Sequence, residues 1–73
     1  MGRLKNFIAE HNADHALRQV RIAEDIGING SRMSLIVNGL KPRAEEKTAI
    51  VAALNYRTMR TDLTVADFWP ENA

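Results

Sequence analysis

The hydrophobic residues of this chain recur at intervals of three and four, the spacing of a helix that buries one face, and no run alternates long enough to suggest a strand. Leu4, Phe7 and Ile8 predict a short first helix that fades near Asn12. Helix-initiating side chains at residues 12–14 let a second helix begin there or only near Arg18, with Val20, Ile22, Ala23 and Ile26 giving its buried stripe. Gly27 stops that helix, because a residue without a Cβ closes a helix in the left-handed conformation at little cost. Asn29 is a good N-cap for a third helix carrying Met33, Ile36 and Val37, and Asn38-Gly39 ends it. Pro42 breaks the next connection, and residues 44–54 form a strong helix with Ile50, Ala53 and Leu54 on one side. After Asn55 the sequence turns polar and aperiodic, which predicts an extended loop over 56–62. Thr64 then caps a short closing helix over 64–69, which Pro70 terminates. The predicted class is all-α: a compact bundle of about five short helices.

Size and composition narrow the picture. The 73 residues, 45% hydrophobic and 26% charged, suit one small globular domain with its core over about residues 4–55. Repeats, low-complexity tracts and linker-like runs are lacking. With no cysteine, disulfides and thiolate zinc sites are excluded. The longest apolar run, residues 49–54, is far short of the roughly 20 residues that span a bilayer, and no signal-like segment opens the sequence. A cytoplasmic protein with no membrane partner is expected. The net charge of +1 is uninformative, but its distribution is not. Arg3, Lys5, Arg18, Arg21, Arg32, Lys41 and Arg43 outnumber Glu10, Asp14, Glu24 and Asp25 in the first part of the chain. Beyond residue 43, Glu45, Glu46, Asp62, Asp67 and Glu71 outnumber Lys47, Arg57 and Arg60.

The strongest pattern lies between Gln19 and Asn38. Two helices joined by a three-residue turn containing glycine form a helix-turn-helix layout. Its constraints are a small residue where the helices approach (Ala23), a positive φ four residues on (Gly27), and apolar side chains toward a shared core (Ile22, Ile26, Ile28, Met33, Ile36). No proline interrupts the stretch.

On these residues the chain resembles the lambda-repressor-like, or Cro/Xre-type, family over about residues 4–55. Residues 17–28 are similar to that family's second helix and turn, Asn38-Gly39 with Lys41-Pro42 to the exit of its third helix, and residues 44–55 to its fourth. The Phe68-Trp69-Pro70 end is faintly similar to phage Ner-like regulators. The resemblance implies a sequence-specific double-stranded DNA-binding transcriptional regulator of phage or bacterial type, with a recognition helix over about residues 30–38 in the major groove. It also implies a homodimer, either preformed or assembled on the DNA.

The outward positions of the recognition helix are Ser31, Arg32, Ser34 and Leu35, the candidate base readers. Arg32 lies near the helix N-terminus, from which a guanidinium can pair bidentately with guanine; the bland alternative is a solvated arginine. Leu35 suits a thymine methyl, a partner contact or plain packing. Gln19 corresponds to the family's phosphate-binding residue, and Arg18, Asn38, Lys41 and Arg43 are further phosphate candidates. Two departures stand out. Gly30 occupies a position often used for base readout, and Val37 replaces a glutamate that commonly pairs with the first helix. No cofactor, metal, small-molecule ligand or catalytic set is predicted. His11 and His15 share a helix face but have no third ligand at a suitable spacing. Phe68 and Trp69 read as core plugs or as an exposed dimer surface, and Arg57 and Arg60 as solvated loop residues or a DNA-touching arm. A second functional reading is a protein-interaction module, antitoxin-like or adaptor, that uses the same core without base readout. Its mark would be one exposed apolar patch of Leu35, Val37 and Trp69.

Overall fold

The computed structural model describes residues 2–70, so Glu71, counted above in the acidic C-terminal stretch, lies outside the described residues. The class is all-α. In chain order the helices are α1 (Arg3–Glu10), α2 (Asn12–His15), α3 (Gln19–Ile26), α4 (Gly30–Val37), α5 (Ala44–Thr58) and α6 (Val65–Phe68), with no strand among the described residues. Six helices replace the expected five because both candidate starts for the second helix are used. Asn12 opens the single turn α2, Ala16 closes it in the left-handed region at φ 51°, and a new helix starts at Gln19. The Asn12 side chain spans this break by donating to the Leu17 carbonyl at 3.0 Å. No helix of the described residues is long and apolar enough to cross a membrane.

The hydrophobic stripes converge on one core. Leu17, Ile22, Met33, Ile50 and Leu54 are fully enclosed, and Leu4, Ala23, Ile36, Val37, Val51, Ala53, Leu63, Phe68 and Trp69 complete the cluster. The core thus reaches well beyond residue 55. Val20, expected in the buried stripe, is 49% exposed, and Ile26 and Ile28, also expected inside, are only partly buried and pack against the core's edge, as do Phe7 and Ile8. Phe68 and Trp69 are core plugs. Phe7 and Phe68 meet edge-on with their ring centres 5.3 Å apart, which ties α1 to α6.

Helix ends follow local chemistry where a suitable residue is present. Gly27 adopts φ 77° and lets α3 turn through residues 27–29 into α4. The Asn29 side chain accepts the Arg32 amide at 2.7 Å and caps α4. At the far end, the Gly39 amide donates to Ile36 and the Leu40 amide to Leu35, satisfying carbonyls that would otherwise be orphaned.

The expected loop over 56–62 is corrected at its start, because α5 continues as helix to Thr58. Tertiary contacts outweigh the polar sequence there. Thr58 is buried and its hydroxyl donates to the Leu54 carbonyl, while Arg57 holds Asp25 of α3 by two hydrogen bonds at 2.5 and 2.8 Å. Met59, in the left-handed region at φ 58°, ends the helix in place of a glycine. The remaining connection is tied down by Asn55, whose side-chain amide exchanges hydrogen bonds with both main-chain groups of Leu63. Arg57 and Arg60 are therefore engaged within the chain, Arg60 with Asp62 at 2.8 Å. The Asp67 carboxylate accepts the Thr64 amide at the start of α6.

Candidate nucleic-acid interface

The candidate surface is the outer side of α4 and the chain ends that border it. Met33, Ile36 and Val37 point into the core, which fixes the roll of α4 about its axis and turns Ser31 and Leu35 outward. Ser31 is exposed, and Leu35 is 58% exposed. Ser34 is half-buried at the margin, and Gly30 lies in open space at the start of the helix.

Arg32 departs from the expectation of a free outward guanidinium. Its Nε donates to Glu46 Oε2 at 2.6 Å and its Nη2 to Glu46 Oε1 at 2.7 Å, a side-on pair joining α4 to the first turn of α5. The same Oε1 accepts the Arg43 amide at 2.8 Å, which also satisfies the N-terminus of α5. The Arg32 side chain is 33% exposed and that of Glu46 only 11%, so the carboxylate forms the inner member of the pair. The hydrogen bonds from Arg32, followed by that from the Arg43 amide, hold the Glu46 carboxyl down to about 2 and push the Arg32 guanidinium upward. Because the partners are 14 residues apart and on different helices, no local pattern in the sequence marks this pair.

The phosphate candidates differ in how free they are. Arg18, Lys41 and Arg43 are exposed, and their side chains have no ion-pair or hydrogen-bond partner among the described residues. Gln19 is half-buried in the first turn of α3, whose N-terminus lacks a side-chain cap. Asn38 is exposed but partly committed: its Nδ2 donates to the Ser34 carbonyl at 2.8 Å, and its Oδ1 accepts from Lys5 at 3.4 Å. Lys5 is thus a further cation beside the C-terminus of α4 that the sequence pattern did not single out.

His11 stacks on Phe7 with ring centres 4.1 Å apart and lies near His15, and no group of three or more His, Cys, Asp or Glu among the described residues could hold a metal. Val37 and Trp69 are buried, so the apolar patch of Leu35, Val37 and Trp69 does not form. Val37 also leaves no acid on α4 to pair with α1. Comparison with protein-family models, curated proteins and solved structures found no match to this chain.

Proposed function

We propose that this chain is a sequence-specific double-stranded DNA-binding transcriptional regulator of the phage or bacterial Cro/Xre type, with α4 entering the major groove. The observation that carries the reading is the outer face of α4. It leaves Ser31 and Leu35 exposed, presents Arg32 partly exposed in its pair with Glu46 of α5, and is followed in the chain by the exposed cations Lys41 and Arg43. A helix with its side chains is about 10–12 Å across and the major groove of B-DNA about 12 Å wide, so this ridge and groove match in size.

Ser31 bonds a base edge, Leu35 packs on a thymine methyl, and Arg32 reads guanine O6 and N7 through the part of its guanidinium that Glu46 leaves free. Gln19 and the open amides at the start of α3 take one phosphate, while Arg18, Asn38, Lys41 and Arg43 take others and set the register without reading sequence. The protein acts by binding, in the cytoplasm, without chemical turnover.

The longest dimension of the fold is 28 Å, and it holds one α4. Successive half-sites on one face of the duplex lie about 34–36 Å apart, so two copies are needed to read both. The working form is a homodimer on a two-fold symmetric site.

Selection from a randomised duplex pool at two salt concentrations, followed by sequencing, tests the reading. The expected outcome is one enriched two-fold site, with affinity falling on added salt at a log–log slope of about −0.9 per phosphate contacted. A pool that stays random at both salts refutes it.

A further inference from the structure

The pair between Arg32 and Glu46 has a geometry suited to more than holding α4 against α5. A guanidinium carries five N–H groups. Glu46 engages the Nε–H and one Nη2–H, which occupy a single side of the planar fork. Both Nη1–H groups and the second Nη2–H remain at the far end, the edge with two parallel donors that matches guanine O6 and N7. Arg32 is held elsewhere as well, since its main-chain amide is bonded to the Asn29 side chain at 2.7 Å. Glu46 in turn is held by the Arg43 amide at 2.8 Å and is the less exposed member of the pair. Glu46, the less exposed member, therefore holds the fork by its Nε side and leaves the end-on pair of donors unused by this contact.

We propose that Glu46 is the positioning residue for Arg32, so that the ion pair between α4 and α5 sets sequence preference at the base pair Arg32 reads. The proposal rests on the DNA-binding reading above. A free arginine gives up its rotamer freedom when it docks, and it serves a phosphate as readily as a base. An arginine held side-on by a carboxylate is pre-ordered, and its positive charge is already balanced. Its contribution shifts from general attraction toward orientation-dependent recognition.

Glu46→Gln separates this role from a structural one. The amide oxygen of the new side chain can still accept from the Arg43 amide and from Arg32 Nη2. Its amide nitrogen, however, sets an N–H donor against Arg32 Nε–H and breaks half of the pair. Glu46→Asp provides a second variant, keeping the charge and retreating by one methylene. Both are checked for folding by circular dichroism, and if one is unfolded the other decides. Using the site enriched by the wild-type protein, binding is measured to every single-base variant of that site. The proteins compared are wild type, both Glu46 variants, Arg32→Ala, and the double variant Arg32→Ala with Glu46→Gln.

The expected result is an about tenfold loss of discrimination, confined to the position that Arg32→Ala also relaxes, with no further loss in the double variant. Unchanged discrimination in a folded Glu46 variant overturns the proposal while leaving DNA binding intact. So does a weakening that is equal at all positions and persists without Arg32. A wild-type protein that enriches no site overturns the DNA-binding reading, and this role with it.

Discussion

Met33 and Leu35 lie two residues apart on α4 with opposite surroundings: Met33 is fully enclosed and Leu35 is 58% exposed. Truncating each to alanine therefore tests the roll of the helix on which the whole surface depends. Met33→Ala removes a buried side chain and leaves a cavity, which costs about 2–5 kcal/mol. Small domains have about 0.05–0.15 kcal/mol of stability per residue, or roughly 4–11 kcal/mol for a chain of this length. Met33→Ala should accordingly remove a large fraction of the stability, whereas Leu35→Ala loses little buried area and should stay within about 0.5 kcal/mol of wild type. The single tryptophan, Trp69, is 8% exposed, so urea unfolding followed by its fluorescence reports directly on the core. DNA affinity should respond in the opposite order once folding is accounted for. Leu35→Ala weakens binding at an intact fold, and Met33→Ala weakens it only through the unfolded fraction. If Leu35→Ala costs as much stability as Met33→Ala, the helix is rolled differently and the assigned reading face is wrong.

Arg32→Ala should cost about 1–3 kcal/mol on the enriched site and relax one base pair, whereas Lys41→Ala and Arg43→Ala should weaken all sequences alike and flatten the salt dependence, both read by fluorescence anisotropy. Glu46 lies at about 2 against an ordinary 4.5, so its contribution to stability is fully present above pH 4.5 and is lost as pH falls toward 2, and Asp25, lowered by its hydrogen bonds from Arg57, loses its share in the same direction in acid. Urea midpoints measured across that range should drop less in Glu46→Gln, which has already lost its share at neutral pH. Gly27→Ala meets no neighbour within 4 Å but places a Cβ at φ 77°, so calorimetry should show a loss of about 1–2 kcal/mol from backbone strain alone.

Features set by chemistry a few residues long were legible in the sequence. Gly27, Asn29 and Gly39 delimit α4 through their own backbone or side-chain properties, and the spacing of Met33, Ile36 and Val37 was enough to turn Ser31 and Leu35 outward. Features set by distant partners were not. The end of α5 depends on Asp25 meeting Arg57, and on Met59 taking a conformation that a methionine does not advertise. Leu17 and Leu63 are buried from connecting segments where no helical period marks them. Within the candidate site, the exposure of Ser31 and Leu35 followed from periodicity, but the half-burial of Ser34 and the pairing of Arg32 did not, the latter because Glu46 reaches it from another helix.

The most direct measurement is amide chemical-shift mapping of the isotope-labelled protein titrated with its enriched duplex. The expected perturbations are largest at Ser31, Arg32 and Leu35 of α4 and at Gln19 and Val20 at the start of α3, with smaller shifts at Lys41 and Arg43. Shifts concentrated instead on α1 and α6, with α4 unmoved, would contradict the assignment of α4 as the helix that reads DNA.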